Sequence, residues 1–216
     1  MTQKISVDNR TYCFYTDLMP APGGAPWAFP GTAEDRGFLS PKQDKIPLRR
    51  TYGAYVTLGG RNILFVIDDA VAPGSPMWTF IHKVAARLVA SYDALDAGAK
   101  QALARLRAVV FVASPDRSFA QVEKGIFFYD TDEIVRADGS WISDSYAASN
   151  IVHDANHVLL SETGIQHWGL EAEKTCWNLQ VANKAALGLD AHEVAHLNKL
   201  IADPDITAGR VLQRPF

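Results

Sequence analysis

Before Asp138-Gly139 the apolar residues come mostly in short, strand-length runs, and from Ser143 onward they recur at helical spacing. The early runs predict strands at residues 4–7 and 11–15, with a turn at Asp8-Asn9. The stretch GAYVTLGGRNILFVIDDAV reads as a hairpin: Tyr55, Thr57 and Leu58 lead into Gly59-Gly60, and Ile63 to Ile67 leave it. Residues 109–113 and 125–129 are further β-rich runs, and residues 133–135 are expected to pair back across Asp130-Thr131-Asp132. Residues 20–47 are rich in Pro and Gly and lack periodicity. They predict an extended loop lying on the domain, because Trp27, Phe29 and Phe38 favour burial.

The helical pattern starts earlier in one place. Pro76 suits a first helical turn, and Trp78, Ile81, Ala85 and Leu88 form an apolar stripe through residue 92. A second helix is expected over residues 97–106. In the C-terminal part a helix is predicted over residues 143–160, with a break at Glu162-Thr163-Gly164. A returning helix then runs from Leu170 to a stop at Gly188. Strands first and helices after predict an α+β fold, its strands antiparallel, in a single domain over residues 1–216. No repeat, low-complexity tract or linker interrupts it.

Composition narrows the function classes. The 216 residues are 48% hydrophobic and 21% charged, enough apolar material for a sizeable core. A net charge of -3 and the lack of any basic run give no electrostatic reason to expect nucleic acid or an anionic membrane. No apolar stretch is long enough to span a bilayer, and the first twenty residues lack a signal-peptide core. Cys13 and Cys176 lie far apart and suggest no disulfide framework. The expected compartment is the cytoplasm, although leaderless export would leave the same pattern. Oligomeric state leaves no mark in the sequence.

Six histidines are present, and four form two i, i+4 pairs: His153 with His157 in IVHDANHVLL, and His192 with His196 in AHEVAHLNKL. On a helix such a pair lies on one face, one turn apart, and can bind one Zn²⁺ at about 2.0–2.1 Å per nitrogen. The second pair spells HExxH, but the chain beyond it offers only Asp203 and Asp205 as acidic groups and no further Glu or His. Asp190 and Glu193 also have the spacing of a capping box, which puts His192 in a solvated first turn.

The first pair has a downstream carboxylate on the returning helix. Cys176, Trp177 and Gln180 stand three, four and seven residues after Glu173, so that face is apolar and a carboxylate on it needs a partner. Glu171 shares its face with Lys174 and Thr175 and reads as solvated. The expected metal ligands are therefore His153, His157 and Glu173. The competing reading is a pair of core histidines beside a carboxylate that serves the helix dipole.

A helix carrying His-acid-x-x-His, a short connection and a helix bearing Glu resembles the zincin metallopeptidases of the gluzincin type. The likeness covers residues 107–201: strands AVVFV and GIFFY, then SYAASNIVHDANHVLL and GLEAEKTCWNLQ. Residues 1–106 resemble no family. The resemblance implies one zinc ion per chain on His153, His157 and Glu173, with a water completing the tetrahedron. It implies a peptide or protein substrate, with residues 125–129 lining a cleft and pairing with an extended peptide. It also implies a general base at Asp154, where the family has Glu. Asp is one methylene shorter, which withdraws the carboxylate by about 1.5 Å, so the alternative is a metal-binding domain without catalysis. A metal-free interaction domain is the third reading. Tyr146 on the same helical face, Asn150, Asn156, His167 in the connection and Cys176 are further candidates near such a site, each with an ordinary structural explanation.

Overall fold

The computed structural model describes residues 2–7, 10–15, 32–33, 51–68, 71–72, 74–112, 118–136 and 138–202; in 2–7, 10–15, 32–33, 51–54 and 68 it describes the backbone alone. The expected loop over residues 20–47, with Trp27, Phe29 and Phe38, lies outside the described residues apart from 32–33.

Strands β1 (Thr2–Val7) and β2 (Arg10–Tyr15) pair antiparallel as a two-stranded sheet. A second sheet contains β3 (Thr32–Ala33), β4 (Thr51–Leu58), β5 (Arg61–Asp68), β6 (Ala108–Val112), β7 (Phe119–Gln121) and β8 (Ile126–Asp130). Its order is β3-β4-β5-β6-β8-β7. The hairpin β4–β5 turns at Gly59-Gly60 with φ of 55° and 79°, the positive values its two-residue turn requires. A side chain on Gly59 would also run into the Tyr92 ring. The helices are α1 (Pro76–Ser91), α2 (Ala97–Leu103), α3 (Asp144–Glu162), α4 (Leu170–Ala182), α5 (Lys184–Leu187) and α6 (Ala191–Ala202). The fold is α+β.

Four details depart from the sequence pattern. The sheet is mixed, since β5 pairs parallel to β6 and β6 parallel to β8. The unbroken apolar runs of β6 and β8 are what a parallel interior strand, covered on both faces, looks like. Residues 131–134 form a 3₁₀ turn and not a returning strand, because the Asp130 carboxylate accepts from the Asp132 amide at 3.0 Å and curls the chain. The partner of β8 is instead β7, antiparallel and only three residues long. With β6 on one side and β7 covering Ile126 to Phe128 on the other, β8 leaves little free edge for an extended peptide. Finally, the predicted helices 97–106 and 170–188 are cut short. Asn183 ends α4 by accepting from the Asp96 amide at 2.8 Å and donating to its carboxylate at 2.9 Å. The last turn, α5, then stops at Gly188 in the left-handed conformation (φ 74°).

One face of the sheet, with Phe65, Phe111, Phe127 and Tyr129, packs against Ile81, Ala85 and Leu88 of α1 and Ile151, Val152 and Ala155 of α3. The other face is buried too, through Leu64, Val66, Val110 and Phe128. Helix α3 is thus enclosed on nearly every side from Ser145 to Val158. Polar side chains on so buried a helix must find partners within the protein, since an unpaired buried polar group costs several kcal/mol (roughly 2–7). Among the described residues, no helix is long and apolar enough to cross a membrane.

Candidate metal centre

Helix α3 is started by Ser143, whose hydroxyl accepts from the Tyr146 amide at 2.9 Å, and its first turn is tied to α1 by Asp144 and Arg87 at 3.1 Å. Nineteen residues later it ends, and the connection folds back: the Ile165 amide donates to the Leu160 carbonyl at 2.9 Å. Helix α4 then presents Glu173, Cys176, Trp177 and Gln180 inward, all buried, while Glu171 is exposed beside Lys174. The three, four and seven spacing thus does what it predicts.

His153, His157 and Glu173 meet where these helices face each other, each only 6% exposed. The two Nε2 atoms are 3.2 Å apart. Glu173 reaches His153 Nε2 with one oxygen at 3.1 Å and His157 Nε2 with the other at 3.7 Å. Donors bound to a tetrahedral zinc at 2.0–2.1 Å stand about 3.3 Å from one another, so the three groups already have the spacing of ligands. Their backs are held as well. His157 Nδ1 lies 2.7 Å from the His167 carbonyl, which can only accept, so Nδ1 carries hydrogen. His153 Nδ1 lies 3.1 Å from the Gln180 side-chain oxygen. In the neutral imidazoles both Nε2 lone pairs therefore point at each other and at a carboxylate. A proton can bridge one such contact, whereas a cation satisfies all of them.

Sulfur is also within reach. His153, His157 and Cys176 each offer a ligand atom, all three are buried, and these atoms lie within 4.8 Å of one another, close enough to bind a metal ion. The Cys176 thiol is pushed well above its ordinary pKa by burial, helped by the nearby carboxylates of Glu173 and Asp154 and opposed by a hydrogen bond from Asn156 at 3.4 Å. Unaided it stays a thiol at neutral pH; a metal would deprotonate it.

A cavity of about 430 Å³ opens beside the cluster, lined by His153, Asp154 and Glu173 and, on the α6 side, by His192 and His196. Asp154, the residue expected as base, is buried and faces this cavity together with two of the expected ligands. Tyr146 and Asn150 line it too.

The second histidine pair has a different fate. The Asp190 amide donates to Glu193 at 3.0 Å, and the Glu193 amide donates to Asp190 at 2.8 Å, so the capping box forms as the spacing predicts. The other Glu193 oxygen accepts from the Ser143 hydroxyl. His192 is exposed, and His196 sits edge-on to the Tyr146 ring with centroids 6.1 Å apart.

No protein-family model matches this chain, and no curated protein and no solved structure matches it either.

Several participants have roles that the sequence did not specify. His167 contributes its backbone carbonyl, which its residue type does not signal. Asn156, a candidate near the site, is buried and its amide donates to the Cys176 sulfur at 3.4 Å. Gln180 gave only the signal of an apolar-face position. The i+7 spacing from Glu173 was visible, but a glutamine at such a place carries no motif.

Proposed function

We propose that this chain is a zinc-dependent hydrolase of metallopeptidase type, with one ion per chain held by His153, His157 and Glu173. The observation that carries the reading is the convergence of two Nε2 lone pairs and a carboxylate within 3.1–3.7 Å beside an open cavity. An ion there would polarise a water molecule and a substrate carbonyl. Asp154 takes the proton from the attacking water and returns it to the leaving amine as the scissile C–N bond breaks. A cavity of about 430 Å³ falls in the range that holds a small ligand or a few peptide side chains. Because β8 is paired on both sides, the substrate is held by the cavity walls and not by addition to that strand.

Cys176 favours a second reading. With sulfur added to the two histidines and Glu173, four protein donors would close the coordination sphere, leaving no position for water. The ion would then stabilise the helix hairpin, and the domain would serve binding or regulation without catalysis.

The test is a zinc-loaded preparation assayed on a broad panel of fluorogenic peptides, beside Asp154→Asn. The hydrolase reading expects turnover that falls roughly 10²–10⁴-fold in the variant, with zinc content unchanged. Undiminished turnover in Asp154→Asn would remove that residue from the mechanism. Zinc-loaded wild type without turnover would favour the closed site.

A further inference from the structure

Behind His153 runs a chain of hydrogen bonds, buried at its centre, that no step of the proposed hydrolysis uses. Gln180 on α4, 1% exposed, places its side-chain oxygen 3.1 Å from His153 Nδ1. Its amide nitrogen donates to Ser149 Oγ at 2.8 Å and to Asn150 Oδ1 at 3.2 Å. These two acceptors have their own commitments. The Ser149 hydroxyl donates to the Tyr146 carbonyl at 2.8 Å, which leaves its lone pairs for Gln180. Asn150 donates from its nitrogen to the Tyr129 hydroxyl at 3.1 Å, which turns its oxygen toward Gln180.

An amide has two equivalent-looking ends, and its orientation is decided by what each end meets. Reversing Gln180 would set its oxygen against the Asn150 oxygen and would aim its NH₂ at His153. The Ser149 hydroxyl would have to leave the Tyr146 carbonyl to compensate. The observed orientation pairs both ends of the Gln180 amide, and Gln180, Ser149 and His153 are buried, while Asn150 reaches the cavity wall. In this orientation the group facing His153 is an acceptor, which calls for hydrogen on Nδ1 and, in the neutral ring, leaves Nε2 bare toward Glu173 and His157. His157 receives the same instruction from a backbone carbonyl, which cannot reverse.

We infer that Gln180, locked by Ser149 and Asn150, is a positioning residue that fixes the tautomer and ring orientation of His153 for metal binding. The inference rests on the metal reading proposed above. It assigns a function to a set of residues reaching from strand β8, through Tyr129, to the cluster itself. Residues that hold a ligating histidine by its far nitrogen are worth roughly 10–100-fold in metal affinity.

The experiment is zinc affinity of the full-length protein, by competition with a chromophoric chelator, for wild type, Gln180→Met and Gln180→Glu. Methionine keeps the unbranched shape and lacks a strong acceptor, whereas glutamate keeps an acceptor for Nδ1–H. The expected result is a loss of roughly 10–100-fold in Gln180→Met and affinity within threefold of wild type, or tighter, in Gln180→Glu. Ser149→Ala, which removes one anchor of the amide, is expected to fall between them, and it supplies the answer where Gln180→Met does not fold. Wild-type affinity in both Gln180→Met and Ser149→Ala, or equal losses in Gln180→Met and Gln180→Glu, would overturn the inference while leaving the metal reading intact. A wild-type protein that binds no zinc would overturn the metal reading itself, and this inference with it.

Discussion

The α3 and α6 histidine pairs share one spacing, yet among the described residues only the α3 pair lies buried and close enough to a third donor to bind a metal ion. His153 and His157 lie in the middle of a nineteen-residue helix enclosed by a sheet and by helices α1, α2, α4 and α5, and both of their far nitrogens are engaged. His192 and His196 lie in the first two turns of a twelve-residue helix at the surface. The carboxylate between them is spent on the helix start and on Ser143. A motif written as HExxH thus says less about metal binding than the burial and the far-side partners of its imidazoles. What differs between the pairs is the supporting structure, which the spacing does not encode.

The comparison can be broken most severely at Glu173. Glu173→Gln is expected to weaken zinc binding by more than the ~100-fold that a merely orienting residue is worth, while Cys176→Ser stays within a few-fold. Chelator competition measures both. The reverse order, with Cys176→Ser the more damaging, would make sulfur the third donor in place of Glu173, and large losses in both variants would favour the closed, four-donor site. Cobalt substitution sharpens this, because a thiolate ligand gives a sulfur-to-cobalt charge-transfer band that His₂Glu ligation lacks.

A smaller effect separates the pairs in stability. Glu193→Ala removes the reciprocal cap of α6 and its link to Ser143, at an expected cost of about 1–2 kcal/mol in urea unfolding. Zinc affinity should not change. A loss of zinc in this variant would mean that α6 belongs to the metal site after all.

The smallest expected effect is in pH dependence, at a histidine outside both pairs. Burial lowers the pKa of His82, on α1, to about 4 from an ordinary 6.5. Between these values the unfolded chain takes up a proton that the folded chain refuses, so this contribution is fully present above pH 6.5 and declines as pH falls toward 4. The drop in urea midpoint between pH 7.5 and pH 5 should be shallower in His82→Gln than in wild type. An unchanged drop would show that His82 titrates normally.

Much of the site could be read from the chain because its information is local. The i, i+4 spacing puts His153 and His157 on one face, and the apolar neighbours of Glu173 at i+3, i+4 and i+7 turn that carboxylate inward. The Asp190/Glu193 box was equally legible, since a helix cap is a matter of a few consecutive residues. What could not be read depends on how elements lie against each other. Whether Gln180 meets His153 or solvent is set by the rotation of α4 against α3. Cys176 comes near the imidazoles by the same rotation. The parallel pairing of β5 with β6 joins strands separated by α1 and α2, that of β6 with β8 joins strands separated by β7, and β7 is too short to carry a period. The break at Asn183 comes from its bonds to Asp96, distant in sequence.

The central claim is that α3, and not α6, holds a metal ion. Elemental analysis of the purified, untagged protein after zinc loading and dialysis, beside His153→Ala and His192→Ala, tests it most directly. The account predicts one zinc per chain in wild type and His192→Ala, and none in His153→Ala. Zinc retained by His153→Ala and lost from His192→Ala, or no zinc in any of the three, would contradict it.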